Sequence, residues 1–365
     1  MKRFPSELED TVIDFSYDDL ATLASCSLVC RDWVPASRYH MFSAILLTAQ
    51  NAQAFLELIS HSTTIAPLVC DVELRFTPDC SMMHLQNPSI LMRLPHMTHL
   101  TLCPKRNEVV RPLCTSSLAH AVLSLPLVYL KFDFRSRFES LQQIIDCVVL
   151  CPQLESLEVG GSWMKTEEFS APPSMPRKLH TLTLTCDLDN FLTWFMALDD
   201  EMPVIQHLFL YHIVQREIDT VARYLRTAGP SLQHLTLAFR DDDAPARLAA
   251  QTDLSQNTSL RTIALEGASP GIFSGLLVFL SQLTFCETST LSIALTVRHS
   301  NHPLAIRPER TFHWPTLDEA LSTTPFLGRL SLTVVEPLTR APLLGAVTDI
   351  MEQLPLTRAG GILVG

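Results

Sequence analysis

The sequence predicts an α/β protein in which a short N-terminal helical module is followed by a solenoid of repeated units that share a parallel sheet. Three observations support this class. A phrase of the form Leu-x-x-Leu-x-apolar recurs along most of the chain, its copies are evenly spaced, and segments of helical periodicity lie between them. Because one short unit cannot bury its own apolar face, neighbouring units must stack into a common core.

The composition restricts the class of function. The chain has 365 residues, 47% of them hydrophobic, which excludes a disordered protein. The net charge of −11 argues against general binding to nucleic acid. The most apolar stretch, residues 271–280, is shorter than the ~20 residues that cross a bilayer, and no apolar stretch follows the acidic N-terminal segment. We expect a soluble, cytoplasmic or nuclear protein that binds neither nucleic acid nor membrane.

The repeats extend over residues 65–365. The middle apolar positions of the ten phrases are Val72, Leu100, Leu130, Leu157, Leu182, Leu208, Leu235, Ile263, Leu291 and Leu330. All steps between them span 25–30 residues except the last. In each phrase the final apolar positions alternate with a variable one, which is the periodicity of a strand, and a Pro commonly precedes the phrase. About ten parallel strands are therefore predicted, with their middle residues stacked in one buried column.

Helices are predicted between the phrases. The segments with helical spacing are 139–150, 187–202, 215–228, 270–285 and 341–354. Strand, turn and helix in repetition resemble the leucine-rich-repeat proteins that carry helices on their outer face. The Asn that usually follows the strand in that family is missing, since Leu102 is followed by Cys103, so the repeats are divergent. Residues 165–178 and 299–315 are predicted loops.

Residues 1–47 do not follow the repeat and are predicted to form three short helices, joined to the solenoid by a linking helix over 48–64. Ser6 and Glu9 form a capping box for the first helix, and Asp18 or Asp19 caps the second. The third is predicted over residues 27–38. So small a module cannot bury all its apolar residues, and the surplus indicates a partner surface.

This module resembles the F-box, which docks F-box proteins onto a Skp-family adaptor in Skp–cullin–F-box ubiquitin ligases. Phe4-Pro5-x-Glu7-Leu8 is similar to the family's opening motif, and residues 28–33, LVCRDW, are similar to its Leu-Val-Cys-Arg-x-Trp phrase. The continuation after residue 36 resembles divergent F-box-like proteins of mushroom-forming fungi. The resemblance implies an adaptor and, through it, a cullin as partners. The candidates for either the adaptor-facing surface or the core of the module are Pro5, Leu8, Val12, Leu23, Val29, Cys30 and Trp33.

The strand phrases also predict a target site. If the Leu columns point inward, the residues between them lie on the open face of the sheet. His207, Phe209 and Tyr211 then lie beside His234 and form an aromatic and imidazole patch suited to a protein partner. An uncommitted solvated face is the alternative.

No combination of residues predicts catalysis or a cofactor. The segment 267–271 fits G-x-S-x-G, but Pro270 lacks the N–H that a hydrolase elbow needs after its serine. His96 with His99, like each Cys-x-x-x-Cys pair, supplies two metal ligands where a structural zinc site needs four. We therefore expect a non-enzyme without metal: the substrate-recognition subunit of a ubiquitin ligase, or alternatively a non-catalytic repeat scaffold outside any ligase.

Overall fold

The structure is a computed structural model. It describes residues 6–76, 89–104, 109–110, 125–133, 137–165, 175–198, 201–241, 243–268, 271–282, 291–298, 314–323, 327–335, 344–361 and 363–364. The chain forms two compact units, both of mixed α/β structure. Unit 1 comprises Met1–Glu168 with Pro173–Lys178, and unit 2 comprises Phe169–Pro172 with Leu179–Gly365.

Unit 1 contains the N-terminal helices and two parallel sheets. Its strands are β1 Ala44–Leu47, β2 Asp71–Phe76, β3 His99–Pro104, β4 Val109–Val110, β5 Tyr129–Phe132, β6 Arg137–Ser140, β7 Ser156–Gly160 and β8 Ser162–Lys165. The main sheet has the order β1-β2-β3-β5-β7, and β4-β6-β8 form a separate small sheet. The helices are Ser6–Asp14, Leu20–Cys26, Val34–Ser43, Ala52–His61, Ser89–Met92 and Gln142–Val149, with 3-10 turns at Arg31–Trp33 and Ala66–Leu68.

Unit 2 alternates strands and helices throughout. Its strands are β9 Thr181–Thr185, β10 His207–Ile213, β11 His234–Phe239, β12 Thr262–Ala268, β13 Leu291–Arg298, β14 Leu327–Val335 and β15 Leu363–Val364. They lie side by side in chain order and are parallel. The helices are Leu188–Met196, Ile218–Ala228, Ala244–Gln251, Gly271–Gln282, Trp314–Thr323, Leu344–Glu352 and Pro355–Ala359, with 3-10 turns at Gln215–Glu217, Gly229–Ser231 and Leu254–Gln256.

The predicted register is confirmed within each unit. In unit 1, Leu100 pairs with Leu130 and Leu130 with Leu157. In unit 2, the column of register partners runs through Leu182, Leu208, Leu235 and Ile263. All of these side chains are at most 1% exposed. The recurring apolar positions therefore build the core of both units, as burial of a period-2 face requires.

The ninth phrase was placed wrongly. Ile263 pairs with Ile293, and Ile293 pairs with Leu330, so the middle residue of this repeat is Ile293 and not Leu291. The sequence 291–295, LSIAL, alternates over its whole length, so a shift by two residues keeps every side chain on its own face. An irregularity after Leu291 in the pairing with β14 then restores the register.

Three features of the sheets were not predicted. The main sheet of unit 1 begins at β1, within residues assigned to the helical module, because Ala44–Leu47 pairs with Asp71–Leu74. The strand β15 adds to β14 at the C-terminus. The small sheet places Phe138 of β6 against Phe132 of β5, with the ring centroids 5.7 Å apart. Because Phe138 is 2% exposed, this sheet closes over a part of the core.

Helices occur in all the predicted segments, with changed bounds. In the segment predicted as helix over 139–150, residues 139–140 belong to strand β6 and the helix itself is Gln142–Val149. The predicted linking helix is Ala52–His61. Of the predicted loops, residues 166–174 and 299–313 lie outside the described residues. Within the described part of the chain, no helix is both long and apolar enough to cross a membrane.

Candidate functional site

The N-terminal head, residues 6–43, is built from three short helices whose starts follow from local chemistry. Asp19 caps the second helix, because its carboxylate accepts hydrogen bonds from the backbone N–H groups of Ala21 and Thr22. These bonds and one from the Thr22 hydroxyl favour the charged form, so the pKa of Asp19 is lowered. The cap predicted from the sequence is thereby confirmed.

The third helix begins later than predicted, at Val34 rather than near residue 27. Cys30 has an extended backbone, which ends the turn after the second helix, and the 3-10 turn Arg31–Trp33 follows. Pro35 lies in the first turn of the third helix, where its missing N–H costs no hydrogen bond. The residues of the LVCRDW phrase therefore lie in a turn between helices and not on one helix.

Two polar contacts tie the helices of the head together. The Trp33 indole Nε1 donates a 3.1 Å hydrogen bond to Glu9 Oε2 on the first helix. The Nε2 atom of His40 lies 2.6 Å from Asp14 Oδ1, which joins the third helix to the first. Glu9 was predicted to complete a capping box with Ser6, but its carboxylate instead accepts the hydrogen bond from Trp33. Both contacts fix the head in one arrangement.

The head leaves much of its apolar surface in water. Ile13 and Leu23 are fully buried and form its centre. Of the thirteen strongly exposed large apolar side chains among the described residues, eight belong to the head. These are Leu8 50%, Val12 56%, Phe15 83%, Tyr17 65%, Leu20 62%, Leu28 86%, Val29 64% and Tyr39 50%. Exposed apolar surface in such density is typical of a binding surface. We call these eight residues the apolar head surface.

The structure divides the seven head candidates that the sequence left together. Leu8, Val12 and Val29 belong to the apolar head surface, and Cys30 is also exposed. Leu23 is buried in the head core, and Trp33 is half-buried and held by Glu9. Pro5 lies outside the described residues. A core Leu and a surface Leu look alike in sequence, so only packing separates them.

Sequence reasoning missed other members of the apolar head surface. Phe15 follows Leu8 and Val12 at the i, i+4, i+7 spacing that places side chains on one helical face. That spacing was a usable signal. Leu28 carries no such signal, because its exposure depends on where the second helix ends, and Leu20 is the first residue of that helix.

The predicted target patch lies on the open face of unit 2. His207 pairs in register with His234, and Phe209 pairs with Thr236. The imidazole rings of His207 and His234 stack, with centroids 4.4 Å apart and planes 7° from parallel. The ring of His180 lies 5.9 Å from that of His207 on the other side. Burial and the two neighbouring imidazoles all disfavour a charge on His207, so its pKa is lowered.

Tyr211 is set apart from the rest of the patch by a bulge. The β10–β11 register shifts between Leu210 and Ile213, so Tyr211 lies within the irregular part of the strand. Within the bulge His212 has φ 62°, and it is the one non-glycine residue in the described part of the chain with a positive φ. His207, Phe209 and His234 therefore form a continuous group, while the backbone next to Tyr211 turns away from the regular strand.

The matching face of unit 1 is charged and internally paired. Glu158 accepts a 2.7 Å hydrogen bond from the Tyr129 hydroxyl and lies 2.7 Å from the Lys131 ammonium. Burial and the bond to Glu158 raise the pKa of Tyr129. Burial and nearby carboxylates likewise raise the pKa of the Cys103 thiol to about 12, so this cysteine stays protonated. Glu158, Tyr129 and Lys131 therefore satisfy one another on this face.

The described residues contain no group of three or more His, Cys, Asp or Glu side chains placed to hold a metal ion. The Ser269–Pro270 turn of the G-x-S-x-G segment lies outside the described residues. The candidate sites are therefore two surfaces, the apolar head surface and the open face of unit 2. Comparison with protein-family models gives no match, and comparison with curated proteins gives none either.

Proposed function

We propose that this chain is the substrate-recognition subunit of a Skp–cullin–F-box ubiquitin ligase, in which the head docks the adaptor and the repeats hold a target protein. The observation that carries the proposal is the apolar head surface. It coincides with the segment whose sequence resembles the F-box, and it surrounds a head core of only Ile13 and Leu23 among the described large apolar residues.

The energetics favour a stable protein partner for this surface. Each exposed Leu or Val that becomes fully buried gains ~1.5–3 kcal/mol in transfer free energy. Leu8, Val12 and Val29 are each at least half exposed, and Phe15 and Leu28 are more than four-fifths exposed. Docking an apolar partner would remove these side chains from water without disturbing the contacts that Trp33 and His40 make within the head.

The sheet supports the second half of the proposal. The recurring apolar positions of its strands are buried in the core. The variable residues between them therefore lie on the open face. Such a face is free to evolve towards one target without cost to folding. On this proposal the protein has no catalytic residue of its own, works in the cytoplasm or nucleus, and contributes binding only.

The test is copurification with a Skp-family adaptor. Val29→Asp should abolish recovery of the adaptor, because it puts a charge in the docking surface, yet leave folding intact. Val204→Asp is the matched control, since Val204 is 62% exposed in unit 2 and Val29 is 64% exposed in the head. Recovery of neither adaptor nor cullin with the wild-type protein would leave the non-catalytic scaffold as the better account.

A further inference from the structure

The residues at the start of strands β9–β12 form a surface without acidic side chains. One row consists of His180, Gln206, Gln233 and Arg261, one residue from each strand segment. Along this row, the backbone N–H of each residue donates a hydrogen bond to the backbone carbonyl of the residue before it in the row. The next row consists of Thr181, His207, His234 and Thr262, which are register partners. We call these two rows the donor rows, since their imidazole, amide, guanidinium and hydroxyl groups can all donate hydrogen bonds.

The corresponding rows of unit 1 have the opposite character. There Cys70, Thr98, Val128 and Glu155 form the first row, and Asp71, His99, Tyr129 and Ser156 form the second. The same structural positions thus carry carboxylates in one unit and none in the other. In a chain with a net charge of −11, a surface free of carboxylates is a local exception.

We propose that the donor rows of unit 2 bind an acidic protein segment, whose Asp or Glu carboxylates accept hydrogen bonds from His207 and His234. This inference rests on the proposed function in one respect, namely that unit 2 holds the target protein. It adds that the part of the target that binds is acidic. Charge complementarity selects the partner, because the donor rows offer imidazole and guanidinium groups and no carboxylate of their own.

The stacked rings supply the geometry. Parallel imidazoles at 4.4 Å present their edges side by side, so one carboxylate with two oxygens can bridge an N–H from each ring. The donor rows also place Gln206 and Gln233 directly before these histidines in the chain. The face continues with Phe209 and Thr236, which would contact the uncharged part of the same segment.

Binding should depend on pH in a defined direction. His207 faces His180 from β9 and His234 from β11, and Arg261 precedes the residue that pairs with His234. Burial and the imidazoles of His234 and His180 all oppose protonation of His207 in the free protein. A bound carboxylate reverses that balance by favouring the imidazolium. Binding and protonation therefore strengthen each other, and affinity should rise as the pH falls through the range in which histidine titrates.

The experiment measures the imidazole pKa values directly by NMR of histidine-labelled full-length protein, with and without a short oligoglutamate peptide. The peptide should raise the pKa of His207 by about one unit, and by linkage it should bind up to about tenfold more tightly at about pH 5.5 than at about pH 8. An oligoserine peptide of equal length should do neither. Glutamate stays ionised over this range, so the change belongs to the protein.

The double variant His207→Gln and His234→Gln should remove the pH dependence, and His61→Gln, an exposed histidine on a helix of unit 1, should keep it. The NMR titration is made on the wild-type protein, so it still tests the inference if the double variant fails to fold. Unchanged pKa values on addition of oligoglutamate would overturn the inference, as would equal binding at both pH values. Because the adaptor takes no part, this result is independent of whether the head binds it.

Discussion

The head and the sheet of unit 2 treat their apolar residues in opposite ways. In the sheet, the Leu residues of strands β9, β10 and β11 are buried almost completely, and each pairs in register with the equivalent residue of the next strand. In the head, Leu8 is half exposed, Leu20 is more than half exposed, and Leu28 is more than four-fifths exposed. The difference shows that identical side chains serve two purposes here. In the repeats they form the core, and in the head they form the exposed surface that we propose binds a partner.

The largest expected difference in stability comes from truncating one Leu of each kind. Leu208→Ala should lower the free energy of unfolding by ~2–5 kcal/mol, because Leu208 is fully buried between two neighbours of its column. Leu28→Ala should change it by less than ~0.5 kcal/mol, because Leu28 is 86% exposed. Chemical denaturation of both variants measures the two values. Equal losses would remove the distinction between core and surface.

A smaller loss is expected where a polar side chain holds two repeats together. Glu217, 3% exposed, accepts hydrogen bonds from the backbone N–H groups of Leu188 and Val214, and burial raises its pKa. Glu217→Ala leaves two buried donors without an acceptor and should cost ~1–3 kcal/mol.

The matched variant Glu217→Gln keeps one carbonyl acceptor and should therefore lose less. Thermal unfolding of both variants gives the comparison. If the glutamine variant lost as much as the alanine variant, the hydrogen bonds would not be what Glu217 contributes, and the link between the two repeats would have to lie in packing alone.

On the open face, substitution should affect binding and not folding. Phe209→Ala together with Tyr211→Ala should leave the melting temperature nearly unchanged, since both residues are only half-buried and lie outside the Leu columns. Proteins other than the adaptor should be lost from copurified material, which mass spectrometry can score. An unchanged set of partners would move the target site away from this face.

The smallest effect concerns the bulge in β10. His212 is exposed and adopts φ 62°, a conformation that glycine reaches without steric cost. His212→Gly should therefore be neutral or stabilising by up to ~1 kcal/mol, whereas His212→Val should destabilise, because a β-branched residue fits this region poorly. Denaturation of the two variants should rank them in that order. A valine variant at least as stable as the glycine variant would contradict the steric argument, and a glycine variant clearly less stable than the wild type would show that the histidine side chain itself stabilises the bulge.

The repeat core could be predicted because one apolar spacing, repeated many times, fixes which face of each strand is buried. Leu208 and Leu235 were assigned correctly for this reason. The register of β13 was not, since alternation alone cannot distinguish Leu291 from Ile293. Strand β1 escaped prediction because it is short and stands outside the repeat. The small sheet escaped too, since its strands are two to four residues long, and β6 and β8 carry polar residues.

The sequence predicted that the N-terminal helices would expose apolar residues, but it did not predict which ones. A surplus of apolar residues in residues 1–47 predicted a partner surface. The structure shows that eight of these residues are exposed, and their binding to a partner stays a prediction. Which residues form that surface depends on helix ends, as at Cys30, and on pairwise contacts such as Trp33 with Glu9. The position of His207 beside His234 did follow from the sequence, because the repeat length sets which strand positions become neighbours. The stacking of their rings was not predicted.

The most direct test of the proposed function is calorimetric titration of the full-length protein with a purified Skp-family adaptor. The wild-type protein and the control Val204→Asp should bind the adaptor with equal affinity. Val12 is 56% exposed on the first helix of the head. The variant Val12→Asp should therefore bind the adaptor at least about thirtyfold more weakly while melting at the same temperature as the wild type. No detectable heat of binding with the wild-type protein, or equal binding by all three proteins, would contradict the assignment of the head as an adaptor-docking module.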